Sequence, residues 1–313
     1  EMDTINHYVG MYPIAAGGPI ERGFSPFLIT LLVLMVIGFA ISDPKKRRLF
    51  LGITFAANTA WMAMTIYKSD GLNYQNEGYL YALMNQLDQD ANDTTLDYSV
   101  TAMNDEHALK QLQDSLAGRE VEDIPDESAV VVVKEKMAEK QRLIGQLKET
   151  YDNDLANRRV TDEWTGNGYQ LMAWHYGKVL GRYFNNQDEI RPMVKMLRIA
   201  THVVFFGLIA AMLLLIIVGT RATNNPVYWL LILVPMALPI FFIIDYASWL
   251  WWYGHTLNDM GAFAVKPFMP TVFGEGKVAQ FATFSYPSIG FGLMMLNSAV
   301  LATIALMRRK ESL

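Results

Sequence analysis

The chain has 313 residues, of which 52% are hydrophobic and 18% are charged, and its formal net charge is −5 at pH 7. It contains no cysteine, which excludes disulfides, thiolate metal sites, thiol catalysis and c-type haem attachment. Its apolar residues are concentrated in a few long runs rather than spread evenly. This distribution predicts a membrane protein.

Five apolar runs are long enough, or nearly so, to cross a hydrocarbon layer that needs about 20 helical residues. They are residues 25–42, 49–67, 193–219, 227–252 and 284–307. We therefore predict an all-α polytopic membrane protein with about five transmembrane helices. The segment between the second and third runs, residues 68–192, is predicted to be a helical extramembrane insert.

Basic residues in the short loops predict the orientation, because such residues favour the cytoplasmic side. They are Lys45, Lys46, Arg47, Arg48, Arg221, Arg308, Arg309 and Lys310. Three segments are then expected outside: an N-terminal segment (1–24), the insert (68–192) and a loop (253–283). Helices one and two fall in 25–67, helices three and four in 193–252, and helix five with a cytoplasmic tail in 284–313.

The insert is acidic and shows helical periodicity. Residues 68–191 contain 13 basic and 23 acidic residues. Apolar positions recur at three, four and seven through 131–155, which is typical of an amphipathic or coiled-coil helix. A second helix is expected at 106–116, and the two helices could pair as a hairpin.

Two prolines and a group of aromatic residues distinguish the fourth apolar run. Pro235 and Pro239 predict a kink, which a bilayer tolerates where neighbouring helices or water satisfy the freed carbonyls. Amphipathic rings favour the headgroup level and so predict where this helix leaves the bilayer. They belong to Trp249, Trp251, Trp252 and Tyr253.

Asp245 is an ionisable residue within the same run, where a carboxylate costs about 3 kcal/mol. It is expected to face a protein interior and to have a partner. His202 lies at a similar depth in the third run when about 1.5 Å is counted per residue. Asp245 and His202 are therefore candidates to bind a cofactor, such as a quinol headgroup, a proton or a metal. Hydrogen bonding between helices is the alternative role.

Methionine and histidine are the soft or borderline metal ligands that this chain offers, and together they can hold copper without thiolates. The favoured candidates are His7 with Met11 and His255 with Met260, all on the predicted outer side. Two weaker pairs have the same composition: Met103 with His107, and Met172 with His175. Chance proximity is the alternative for every pair, since 18 residues are methionine.

Several short motifs contain or lie near these candidate ligands. They are NHYVGMYPI near the start, and WLWWYGHTLN, GKVAQF and SYP towards the end. They resemble polytopic membrane proteins encoded beside nitrous oxide reductase genes in bacteria. The resemblance covers about the first third and the last two fifths of the chain, and residues 74–183 have no counterpart. It implies the bacterial cytoplasmic membrane, with the N-terminus and the insert in the periplasm. It also implies an accessory role to a periplasmic copper enzyme, by anchoring it, supplying electrons or delivering copper.

Two functions of different classes follow. In the first, the chain is a non-catalytic accessory subunit of a membrane complex, and its outer loops hold a copper enzyme such as nitrous oxide reductase and handle copper. In the second, it is a quinol-handling redox or proton-relay subunit that uses Asp245 and His202. The first is preferred, because quinol chemistry needs a redox centre and His202 alone does not supply two facing haem ligands. A transporter is disfavoured because the runs show no inverted halves. No nucleic-acid partner is expected.

Overall fold

The structure is a computed structural model that describes residues 6–88, 126–222, 225–278 and 281–311. Within these ranges it forms nine α-helices and one two-stranded antiparallel sheet, which confirms the prediction of a helical fold. The helices are α1 (Pro19–Ala40), α2 (Pro44–Tyr67), α3 (Glu77–Asp88), α4 (Asp126–Ala156), α5 (Gly168–Leu180), α6 (Gln187–Gly219), α7 (Leu230–Met236), α8 (Leu238–His255) and α9 (Ile289–Glu311). The strands are β1 (Gly274–Val278) and β2 (Phe281–Ser285).

Four helices, α1, α2, α6 and α9, are each long and apolar enough to cross a membrane. Helices α7 and α8 pass the same test together, with a bend of 56° between them. Counted as one broken span, they bring the total to five, as predicted. The break falls at Ala237, between Pro235 and Pro239, because a proline has no N–H to donate the backbone hydrogen bond of a helix. The predicted kink is confirmed.

Helices α1, α2 and α6 pack against one another, and α7 packs on α1. Between α1 and α2, Asn58 Nδ2 donates a hydrogen bond to the Phe27 carbonyl at 3.1 Å. Such polar contacts link membrane helices because hydrocarbon offers no competing partner. Helix α9 contacts α7 and α8, and most of its side chains are exposed, as suits a helix in contact with lipid.

Arg47, at the start of α2, is fully buried and joins three helix ends. Its guanidinium lies 4.3 Å from the centre of the Tyr228 ring. The last carbonyls of a helix lack intrahelical donors and carry partial negative charge, so they suit a cation. The guanidinium donates to four carbonyls at 2.8 to 3.2 Å, those of Ile41, Ser42, Gly219 and Arg221. We term Arg47 with these four carbonyls the Arg47 clamp.

The chain divides into two compact units. The first comprises Glu1–Tyr74 and Asn167–Leu313, and the second comprises Gln75–Gly166. In the second unit α3 packs on α4 through the buried side chains of Leu80, Leu83, Leu87, Leu143 and Leu147. Helix α4 contains the helix predicted at 131–155. The helix expected at 106–116 lies outside the described residues, and α3, which the periodicity did not single out, takes the place beside α4.

The segment before α9, most of which falls in the predicted outer loop 253–283, contains a pair of strands. Strands β1 and β2 form an antiparallel pair in which Gly274 pairs with Ser285 and Val278 with Phe281. Its base is held to the rest of the unit, because Ser285 Oγ donates to the Val272 carbonyl at 2.8 Å and lies 3.5 Å from the Tyr246 hydroxyl. The two Phe residues and the Thr of FATFS are residue types that favour strands.

Candidate functional site

The end of the first unit opposite the Arg47 clamp carries a cap of non-membrane segments, which we term the platform. It consists of residues 6–16, α5, the first turn of α6, the last two turns of α8 and residues 256–270. Its buried core includes Met11, Tyr12, Tyr176, Leu180 and Tyr253. Asn167 immediately precedes helix α5 and caps it. Its side-chain oxygen accepts a hydrogen bond from Gln170 N at 2.8 Å.

The platform joins the two segments that carry the candidate copper ligands. Asn258 N donates to the Gly10 carbonyl at 2.7 Å, and Phe263 N donates to the Tyr8 carbonyl at 2.8 Å. Gly10 has a φ of +80°, and a Cβ there would lie 2.4 Å from the Asn258 carbonyl oxygen. A Cβ on Gly261 would lie 2.5 Å from Gly10 N. The contact between these two segments therefore depends on glycine at both positions.

The four candidate side chains nevertheless face different surroundings. Met11 is only 2% exposed and belongs to the apolar core, whereas Met260 is 66% exposed. The His7 ring is half-buried and stacks on Tyr183 with ring centres 4.6 Å apart. Its Nδ1 is buried and has no hydrogen-bond partner among the described residues. The structure thus brings the two segments together but places Met11 in the core and Met260 at the surface.

His255 is exposed at the last residue of α8 and has a defined tautomer. Its Nδ1 lies 2.8 Å from the Trp251 carbonyl, and its ring stacks on the Trp251 ring at 4.3 Å. A carbonyl oxygen can only accept, so Nδ1 carries a proton, and in the neutral imidazole Nε2 is then the nitrogen with the lone pair. A histidine that ligates a metal ordinarily donates its other N–H to such an oxygen. His255 is therefore oriented as a single metal ligand would be.

A polar network that the sequence did not reveal holds the platform together. The Tyr12 hydroxyl donates to Glu189 Oε2, and Asn258 Nδ2 donates to the same oxygen at 2.7 Å. Asn186 Nδ2 donates to Glu189 Oε1 at 2.8 Å. Glu189 in the first turn of α6 thus ties the N-terminal segment to the 256–270 loop. The only local signal was Asn186 followed three residues later by Glu189, which is a capping-box spacing.

Two platform tyrosines have raised pKa values, and their ionisation lowers the stability of the protein at alkaline pH. Burial raises the pKa of Tyr12 to about 12, helped by its hydrogen bond to Glu189. Burial also raises the pKa of Tyr176 to about 12, with the charge of Glu21 contributing. Because both values exceed the ordinary 10.0, the stabilisation from the neutral hydroxyls is complete below about pH 10 and is lost as the pH rises towards 12.

We therefore expect Tm to fall between about pH 10 and 12, and to fall less steeply when Tyr12→Phe and Tyr176→Phe are combined. Thermal unfolding followed by intrinsic fluorescence at several pH values measures both slopes. Each protein is compared with its own Tm at pH 8, so that the lost hydroxyl contacts do not distort the comparison. Equal slopes in the two proteins would contradict this origin of the pH dependence.

The aromatic residues of α8 do not all form a headgroup belt. Tyr253 is fully buried in the platform core, and Trp249 and Trp252 pack against that core. Trp251 is the exposed member of the group. The end of this helix therefore lies in a protein cap, and three of the four aromatic rings between residues 249 and 253 are used for packing rather than for lipid contact.

The structure does not pair Asp245 with His202. His202 Nδ1 lies 2.7 Å from the Tyr67 hydroxyl, and among the described residues neither a hydrogen bond nor an ion pair joins it to Asp245. Asp245 is exposed on α8, and its charge acts on Glu21 in the first turn of α1. The depth comparison assumed straight helices, whereas the 56° bend turns α8 towards α9. The pairing expected from depth is therefore wrong.

The weaker ligand pair Met172 and His175 is not at the surface. Met172 and His175 are both buried within α5. Met103 and His107 lie outside the described residues. The buried pair is thus part of the packing of α5 in the first unit.

Comparison of the chain with models of known protein families, with curated proteins and with solved structures finds no match. The contacts of the platform and of the membrane helices are therefore the basis for inferring a function.

Proposed function

We propose that this chain is a non-catalytic membrane subunit that anchors a soluble partner on its platform, and that the partner is a periplasmic copper enzyme such as a nitrous oxide reductase. The observation that carries the proposal is a series of exposed apolar side chains after α8. Met260 is 66% exposed and Phe263 is 62% exposed, and the series continues with Val265, Met269 and Phe273. Exposed apolar patches rimmed by polar groups are typical of interaction surfaces.

The loop that presents these side chains is fixed at several points. Phe268 N donates to the Gly254 carbonyl at 3.1 Å, and Met260 N donates to Asn258 Oδ1 at 2.8 Å. A Cβ on Gly254 would come within 1.8 Å of the Phe268 carbonyl oxygen, so the loop lies directly on the end of α8. A loop held in this way loses little conformational entropy on binding, which favours docking.

The proposal places the platform in the periplasm. Its support is the charge of the short loops, because the exposed Lys45, Lys46 and Arg48 lie in the loop at the opposite end of the bundle, beside the Arg47 clamp. Basic residues in short loops favour the cytoplasmic side of a bacterial membrane. Arg308, which donates to Ser42 Oγ at 2.7 Å, adds to the positive charge at that end.

Copper handling is a second part of the proposal, and the residues present fit it only in part. His255 fits one ligand position, and the exposed Met260 follows it on the same loop. Met11 does not fit, because it is buried in the core. Within the described ranges no group of three His, Asp or Glu side chains could hold a metal. Copper would thus be handled by His255 and Met260 at the docking surface rather than by a four-residue site.

A photo-crosslinking amino acid in place of Phe263 tests the docking proposal in the bacterium that encodes the chain. We expect it to crosslink to a periplasmic protein that contains copper by elemental analysis, because docking would bring the partner against this side chain. The matched control is position 137, where a 64% exposed methionine lies on α4 in the other unit. Crosslinks from position 263 to lipid alone would overturn the proposal.

A further inference from the structure

One flank of α6 carries basic residues at helical spacing. Arg191, Lys195, Arg198 and His202 follow one another at intervals of four, three and four, which places them within a narrow arc of the helix surface. All four are exposed, and among the described residues none of them forms an ion pair. We term these four residues the basic stripe.

The length of α6 places the stripe relative to the hydrocarbon. The helix has 33 residues, which is about 50 Å, whereas the hydrocarbon layer is about 30 Å thick. Residues 199–219 contain no Asp, Glu, Lys or Arg, and their length of about 31 Å matches that layer. The remaining length extends beyond it at the platform end. Arg198 and Lys195 then lie about 2 to 6 Å beyond the apolar part, which is the depth of lipid phosphates.

The surroundings of His202 support this depth. The Tyr67 hydroxyl lies 2.7 Å from His202 Nδ1, and the Tyr169 ring centre lies 4.9 Å from that of His202. Tyrosine rings favour the boundary between hydrocarbon and headgroups. Tyr67 ends α2 and Tyr169 begins α5, so the chain itself leaves the apolar layer at this level.

We propose that Lys195 and Arg198 bind the phosphate of an anionic phospholipid in the leaflet on the platform side. Residues three apart on a helix have neighbouring side chains, so both cations can reach one phosphate. A guanidinium offers two parallel N–H donors to phosphate oxygens, and an ammonium adds a point charge. His202 and Tyr67 form the floor of this site, and Arg191 attracts the headgroup from further out. An anionic lipid is favoured over a zwitterionic one because the latter carries its own cation.

Native mass spectrometry of the full chain tests the site. The protein is equilibrated with phosphatidylglycerol and phosphatidylcholine of identical acyl chains, and the ratio of the two retained lipids is measured. Each basic residue near a lipid surface strengthens anionic lipid binding roughly fivefold, so we expect K195Q/R198Q to lower the ratio by about 25-fold. The matched control R142Q/K148Q removes the same charges from exposed positions of α4 and is expected to leave the ratio unchanged.

Two further measurements make the outcome decisive. Tm in detergent without added lipid should be the same for K195Q/R198Q and for R142Q/K148Q, because all four side chains are exposed. Inorganic phosphate at the same concentration should not displace phosphatidylglycerol. Retention of the wild-type ratio in K195Q/R198Q would overturn the proposal, and so would equal loss in both variants or displacement by inorganic phosphate.

Discussion

Replacing Arg47 with methionine is expected to destabilise the first unit by about 3–5 kcal/mol, because each carbonyl left without a donor costs on the order of 1 kcal/mol. The substitution leaves the carbonyls of Ile41, Ser42, Gly219 and Arg221 without their donor. The bond to Gly219 is fully buried and the other three are part-buried, so water reaches these carbonyls only in part. Unfolding in mild detergent with increasing denaturant, followed by tryptophan fluorescence, would measure the loss.

Arg48 provides the matched control, because it is exposed and adjacent. Arg48→Met removes the same charge from the same turn, so any effect on membrane orientation is common to both proteins. It is expected to change stability by less than about 0.5 kcal/mol. Arg47→Lys should fall between the two, because an ammonium keeps the charge but cannot offer the planar fork of donors. Equal stability of Arg47→Met and Arg48→Met would show that the clamp does not stabilise the fold.

Gly10→Ala is expected to separate the N-terminal segment from the 256–270 loop. The added Cβ would lie 2.4 Å from the Asn258 carbonyl oxygen, which is backbone and cannot move aside cheaply. The positive φ adds about 1–2 kcal/mol of strain for a residue with a side chain. We expect limited proteolysis to cleave the 256–270 loop at least tenfold faster in this variant, because a loop freed from its anchor samples cleavable conformations more often.

Gly274→Ala separates the strain of the positive φ from the clash of the added Cβ. Gly274 also has a positive φ, of +95°, but a Cβ there meets nothing within 4 Å. This control therefore carries the strain without the clash, and cleavage of the 256–270 loop should stay close to the wild-type rate. Similar cleavage in both variants would contradict the view that the contact between Gly10 and Asn258 holds the loop.

The membrane helices and the bend at Ala237 could be predicted from the sequence because both are local signals. A run of about 20 apolar residues, or a proline pair within one, determines structure at its own position. The position of Asp245 could not be predicted, because it depends on the direction that α8 takes after the bend. Depth counted along the chain gives no information about which helices face each other.

The platform was harder to predict, because its contacts join distant parts of the chain. Tyr12 and Glu189 are 177 residues apart, and Glu189 and Asn258 are 69 apart. Met11 and Met260 were equivalent as candidate ligands, yet one is in the core and the other is exposed. A methionine near a histidine does not reveal which of these it will be, since burial is decided by packing across the whole unit.

The Arg47 clamp also has a consequence for how the protein is made. The carbonyls of Ile41 and Ser42 are close to Arg47 in the chain, but those of Gly219 and Arg221 are 172 and 174 residues further on. At about 5–20 residues per second, a ribosome needs roughly 10–35 s to synthesise that stretch. During this time the hairpin of α1 and α2 is already available for insertion, while its guanidinium has only half of its acceptors. Completion of α6 is thus the step that completes the Arg47 clamp.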